Sequence, residues 1–186
     1  MELFMNLLIF IITLIIFITF FRHEGKWTTA YLKWFFQFFT VISNVFCALA
    51  ALGIVIWPQS QLSWTLKYLG TVSLTVTMLT VFLFLAPTTG SLKALLSGRE
   101  LFMHLVTPLL AIISFLVFER RKIDISTALL GVIPVAVYGC LYWYKVVYRK
   151  QWEDFYGFNK GGRWYLYMPV MFMAVAVLCL VYKVLS

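Results

Sequence analysis

The sequence predicts an all-α polytopic membrane protein with six transmembrane helices in one bundle, on three observations. Of 186 residues, 63% are hydrophobic and only 12% charged, against roughly 45–50% and 25% in an ordinary soluble domain. The apolar residues fall into six runs, each near the ~17–25 residues that cross a bilayer core as helix. The connections between runs are short, so 1–186 reads as a single membrane domain with no room for a separate soluble one. Fifteen Lys and Arg against seven Asp and Glu leave a net charge of +8. These cations are scattered between apolar runs rather than gathered into a basic domain, which excludes nucleic acid as the expected partner and leaves membrane lipids.

The runs lie at about 3–21, 30–57, 66–86, 98–118, 126–148 and 164–185. The first has Glu2 in place of a basic leader and ends in Phe20-Phe21-Arg22 without a small-residue cleavage site. It therefore reads as a retained span, not a signal peptide. Short connections make successive helices antiparallel neighbours, and the halves show no repeat of the kind that marks many transporters. Counting cations on alternating sides, Lys67, Arg120, Arg121, Lys122 and Lys183 fall on one. Arg22, Lys26, Lys33, Lys93, Arg99, Lys145, Arg149, Lys150, Lys160 and Arg163 fall on the other. The richer side is expected to be cytoplasmic, with both termini outside. All seven tryptophans, Trp64 among them, lie near predicted span ends, where amphipathic rings prefer the interface.

Cys47, Cys140 and Cys179 lie inside apolar runs, and His23 and His104 are the only histidines. Neither a zinc-type ligand set nor a disulfide framework is expected, and no metal or cofactor. His23 sits in a polar connection and reads as a solvated loop residue.

Polar residues inside spans carry the functional information, because a polar group in hydrocarbon needs a partner. In the second run Lys33, Gln37, Thr40, Asn44 and Cys47 are spaced 4, 3, 4 and 3, one face of a helix, with Ser43 beside it. That face is either an interhelical hydrogen-bond seam or a site. The fourth run opens with Ser97-Gly98-Arg99-Glu100, the pattern of a capping box. His104 follows at roughly 10 Å depth, while Thr40 lies roughly 15 Å down from the same side, so the two are placed to meet. A threonine hydroxyl needs a base to become a nucleophile, and neutral imidazole is suited to that. Glu100, one turn before His104, either orients the ring or serves only the cap. Asn44, Ser43 or a tyrosine of the fifth span is a candidate donor to an oxyanion.

In the fifth run Tyr138, Tyr142, Lys145 and Arg149 repeat the 4, 3, 4 spacing, followed by Trp152-Glu153-Asp154-Phe155-Tyr156-Gly157-Phe158. A cationic and phenolic rim suits an amphiphile with an acidic head; equally, Lys145 and Arg149 suit anionic lipid headgroups. Thr71, Ser73, Thr75, Thr77 and Thr80 of the third run are spread around the helix and read as back-bonded to the preceding turn. Every acid lies at a helix end or in a connection, which speaks against a mid-membrane carboxylate for coupled transport.

Phe38-Phe39-Thr40-Val41-Ile42-Ser43 and Met103-His104 with Pro108-Leu109 resemble the androgen-induced and androgen-dependent family of six-span membrane proteins, and the chain looks closer to its bacterial branch. The resemblance implies an intramembrane hydrolase of fatty acid esters of hydroxy fatty acids, with Thr40 as nucleophile and His104 as base. Where those hydrolases carry an acidic residue three after the threonine, this chain has Ser43, and their aromatic-Pro-Phe stretch appears as Tyr156-Gly157-Phe158. The expectation is thus a lipid ester hydrolase working through an acyl-enzyme on an amphiphilic ester or fatty acid ligand. The alternatives are a non-catalytic lipid-binding or scaffold protein and, less favoured, a transporter.

Overall fold

The computed structural model describes residues 1–23, 26–29 and 31–186. Glu24 and the expected start of the second span at residue 30 lie outside the described residues, as do the side chains of Arg22, His23, Lys26 and Trp27. Six helices are long and apolar enough to cross a membrane: α1 (Glu2–Thr19), α2 (Phe39–Ile56), α3 (Gln61–Leu85), α4 (Arg99–Phe118), α5 (Ile125–Tyr148) and α6 (Trp164–Leu185). The protein is therefore an all-α polytopic membrane protein. Its chain forms two compact units, Met1–Arg121 with four spans and Lys122–Ser186 with two.

In the first unit, α1 buries Asn6, Ile9, Thr13 and Ile16, a 3-4-3 stripe, and leaves its other faces exposed. After α1, Arg22–His23 pairs antiparallel with Lys26–Trp27. A separate helical turn, Leu32–Phe35, then stops short of α2, and Phe38 is extended (φ −94°, ψ 130°). Ring packing accounts for this break. Phe35 stacks on Phe20 at 4.1 Å, Phe36 meets Phe17 edge-on at 5.9 Å, and Trp34 meets Phe38 at 4.8 Å. Aromatic residues gain little from helix continuity, so those contacts decide the backbone. The expected five-residue stripe is cut as a result: Lys33 and Gln37 precede α2, and only Thr40, Asn44 and Cys47 share it.

Helices α2 and α3 cross closely. A Cβ on Gly70 would lie 2.8 Å from the Cys47 Cα, so only glycine permits this approach. Ser60 caps α3, its hydroxyl accepting from Ser63 N at 3.3 Å. The hydroxyls of α3 bond the preceding turn as expected: Thr71 to Lys67 O, Ser73 to Leu69 O, Thr75 to Thr71 O and Thr77 to Ser73 O, at 2.8–3.1 Å.

In the second unit, Gly139 of α5 faces the Phe172 ring and Met168 of α6. Asp124, just before α5, accepts from the Ser126 hydroxyl. That bond, with help from Thr127, holds its carboxyl down at about 2. Its contribution to stability is complete above the ordinary carboxylate range and is lost as pH falls toward 2.

The Gly70 crossing yields a direct test. Gly70→Ala should destabilise the protein by about 1–3 kcal/mol, because backbone rather than a side-chain tip must move. Thermal unfolding in detergent measures it, with Gly139→Ala, opposed only by the ends of flexible side chains, as the milder control.

Candidate functional site

The site begins with a missing hydrogen. Pro108 has no amide N–H, so a carbonyl one turn earlier in α4 loses its helical donor. The backbone answers with a π-turn over Phe102–Val106, in which Thr107 N donates to Phe102 O. In that register the partner of Met103 O would be Pro108, which has nothing to give. Asn44 fills the gap, its Nδ2 donating to Met103 O at 3.1 Å and to Thr40 O at 2.8 Å. One buried amide thus ties the first turn of α2 to the π-turn that carries His104. Ser43 adds a second tie to α3, its hydroxyl 2.8 Å from Thr77 Oγ1 and 3.1 Å from Thr40 O.

These ties bring Thr40 and His104 together, with Oγ1 3.4 Å from Nε2. His104 is only 6% exposed. Its Nδ1 lies 2.7 Å from Leu95 O, and a carbonyl only accepts, so Nδ1 carries the proton. In the neutral ring Nε2 is then the lone-pair nitrogen, the one facing the Thr40 hydroxyl. The sequence contains no signal for a backbone carbonyl in this role.

Thr40 is the second residue of α2, at the positive end of the helix, and not some ten residues into a span. The Ser97 capping box does not form: Gly98 (φ 56°) precedes the helix, and the Ser97 hydroxyl donates to Ala94 O. Glu100 is not on Nδ1, where a ring-orienting acid belongs; its Oε2 lies 3.6 Å from Nε2. Asn44 and Ser43 have no hydrogen to spare for an oxyanion, since both are committed to protein acceptors.

A second polar centre escaped the sequence reading. Lys67 and Glu119, expected at the membrane surface, are wholly buried and paired at 2.8 Å. Lys67 Nζ also reaches Asn6 Oδ1 at 2.6 Å and Ser114 Oγ at 3.5 Å, which occupies all three ammonium hydrogens. Glu119 Oε1 further accepts from Asn6 Nδ2 at 2.8 Å and Ser114 Oγ at 2.5 Å. Trp64, in the first turn of α3, is buried here as well, donating to Glu119 O at 2.8 Å. Glu119 does lie at a helix end, as expected of every acid, but there it is buried and paired rather than exposed. Asn6 was the available signal, a lone amide in an apolar run.

In the second unit, Tyr142 is buried, donating to Asp154 Oδ1 at 2.8 Å and accepting from Tyr156 N at 3.1 Å. Asn159 N completes the clasp on Asp154 Oδ2 at 2.9 Å. The Tyr138 ring packs beside those of Tyr142 and Tyr156. Tyr142 therefore fastens the connection to α6 and has no hydrogen left for an oxyanion. Lys145 bonds Gln151 Oε1 at 2.8 Å, while Arg149 is exposed.

Two cavities adjoin α2. One of about 10 Å³, room for about one water, has Asn44, Met103 and Thr13 in its lining. The other, an apolar groove of about 640 Å³ between α2 and α3, runs from Phe46 to Trp57. Neither is lined by Thr40 or His104. Among the described residues no cluster of three or more metal-ligating side chains occurs.

Fold and geometry together define an integral membrane protein with two buried polar centres in its four-span unit. The chain matches no family model, no curated protein and no solved structure.

Breaking the buried ion pair should be costly and removing it whole should not. Lys67→Met alone should lose about 3–5 kcal/mol, whereas Lys67→Met with Glu119→Leu should recover most of it. Unfolding of the purified variants in mixed micelles reads the difference. Tyr142→Phe, which orphans the Tyr156 amide and one Asp154 oxygen, should cost about 1–3 kcal/mol by the same assay.

Proposed function

We propose that the protein is an intramembrane hydrolase of lipid esters, with Thr40 as nucleophile and His104 as base. The observation that carries this is the tautomer. Leu95 O takes the Nδ1 hydrogen, leaving the Nε2 lone pair turned to the Thr40 hydroxyl at 3.4 Å. Pairing a half-buried hydroxyl with the accepting nitrogen of a buried ring is what general-base activation requires.

The reaction follows from that pairing. The Thr40 proton passes to Nε2 as Oγ1 bonds the ester carbonyl carbon. Collapse expels the alcohol, which leaves with the proton from Nε2, and the acyl group stays on Thr40. Water then attacks the acyl-threonine, giving one proton to Nε2; that proton returns to Oγ1 as the acid departs. Asn44, Ser43 and Tyr142 are committed elsewhere and leave the oxyanion to the positive end of α2, where Thr40 is the second residue. The chemistry uses side chains and backbone alone.

The resemblance to the androgen-induced and androgen-dependent hydrolases, on Thr40 and His104, supports the same reading and suggests esters of fatty acids as the substrate class. The excess of cations on the side of the spans that carries the site supports an assignment to the cytoplasmic side of a bacterial cell membrane, with both termini outside. Burial of Lys67 in an ion pair removes one cation from the opposing side and strengthens that orientation. Lys145 and Arg149 are assigned to anionic headgroups.

A second reading is favoured by one observation. Every hydrogen of the Asn44 amide goes to a backbone carbonyl, which is what a purely structural seam in a lipid-binding or scaffold protein also provides. A fluorophosphonate probe separates the two. The hydrolase should be labelled at Thr40, with labelling reduced at least about 100-fold in Thr40→Ala and His104→Ala. Labelling that persists in both, in protein that unfolds like the wild type, would sink the hydrolase.

A further inference from the structure

The acid of this site stands on the same ring nitrogen as the nucleophile. Glu100 Oε2 is 3.6 Å from His104 Nε2, on the side Thr40 approaches at 3.4 Å, while the far nitrogen is taken by Leu95 O. A carboxylate beside a lone pair gains nothing from the resting ring. Something else holds it there, and that is Arg99. Its Nε lies 3.6 Å from Glu100 Oε1, and its guanidinium rests over the stacked Phe20 and Phe35 rings, 4.7 and 5.2 Å from their centroids. The two carboxylate oxygens are thus divided, one on a fixed cation and one aimed at Nε2. The Glu100 side chain is 35% exposed against 8% for that of His104, so it joins the buried ring to the protein surface at the start of α4.

We propose that Glu100 is a positioning residue that acts through His104, receiving the N–H that forms at Nε2 when Thr40 gives up its proton. This rests on the hydrolase reading and adds to it. In the resting site the Thr40 O–H points to Nε2. As Oγ1 bonds the substrate, the O–H bond breaks, an N–H bond forms at Nε2, and the cationic ring gains a charge-assisted acceptor in Glu100 Oε2. When the leaving group is an alkoxide, the proton goes on to it. When the leaving group is fluoride, as with a fluorophosphonate, fluoride departs unprotonated, and the proton passes from Nε2 to Glu100 and out to water, restoring the neutral ring. The conventional triad places its acid on the far nitrogen to orient the base; here a backbone carbonyl orients it and the acid serves the nitrogen that reacts.

The test is the concentration dependence of fluorophosphonate labelling at Thr40 in detergent-solubilised full-length protein. Glu100→Gln should lower the limiting rate about tenfold or more and leave the half-saturating probe concentration unchanged. Glu100→Asp, which keeps the charge, should recover most of that loss. Arg99→Gln, which lets the carboxylate swing away, should give an intermediate fall of roughly two- to fivefold. Wild-type labelling at Thr40 with unaltered limiting rates in Glu100→Gln and Arg99→Gln would overturn the role of Glu100 and leave the Thr40–His104 reading standing. Absence of Thr40 labelling in the wild type would overturn both. A rise in half-saturating concentration at constant limiting rate would assign Glu100 to probe binding and also refute the proposal.

Discussion

The amide hydrogen that Pro108 lacks is the constraint from which the site descends. In water an unpaired carbonyl is solvated at little cost, but within a bilayer it must find a donor in the protein. Met103 O is such a group, and the Asn44 amide satisfies it. Because Asn44 sits one turn from Thr40 and Met103 adjoins His104, this repair also sets the distance between hydroxyl and imidazole. The π-turn over Phe102–Val106 belongs to the same accommodation. Such turns recur at functional sites because they offer carbonyls and side-chain directions that a regular helix does not.

Two polar centres occupy opposite ends of α4. His104 lies near its start and Glu119 just past its end, about fifteen residues apart and roughly 22 Å along the axis. They answer the same demand differently. At Lys67 and Glu119, charge is neutralised by charge, all three ammonium hydrogens are used, and Trp64, Asn6 and Ser114 complete the enclosure. That closure suits a clasp joining α1, α3 and α4. At Thr40 and His104 the contact is a longer one between a hydroxyl and an imidazole near the start of α4, beside the partly exposed Glu100.

The second unit repeats the theme with an aromatic residue. Tyr142 spends both its donor and its acceptor on the connection that follows α5, so a phenol that reads as rim chemistry is a structural fastening. Lys150 adopts a positive φ of 52° and Gly157 one of 70° within that connection. The Asp154 carboxylate gathers the turn between them.

Element type and number were legible from the sequence, because six long apolar runs have one hydrogen-bonding solution in a bilayer. The proximity of Thr40 to His104 was legible too, from two polar side chains at comparable expected depths from one side, although the depth of Thr40 was not, and the back-bonded hydroxyls of α3 followed from local chemistry. What only tertiary structure decided were the properties that depend on neighbours distant in sequence. Ring packing against α1 broke the second span before Phe39, the π-turn redirected Asn44 to a carbonyl, and Leu95 O supplied the ring's partner with a group every residue possesses. Lys67 and Glu119, 52 positions apart, became one neutral unit for the same reason: a charge near a helix end is free to face water or to find its opposite, and packing alone chooses between them.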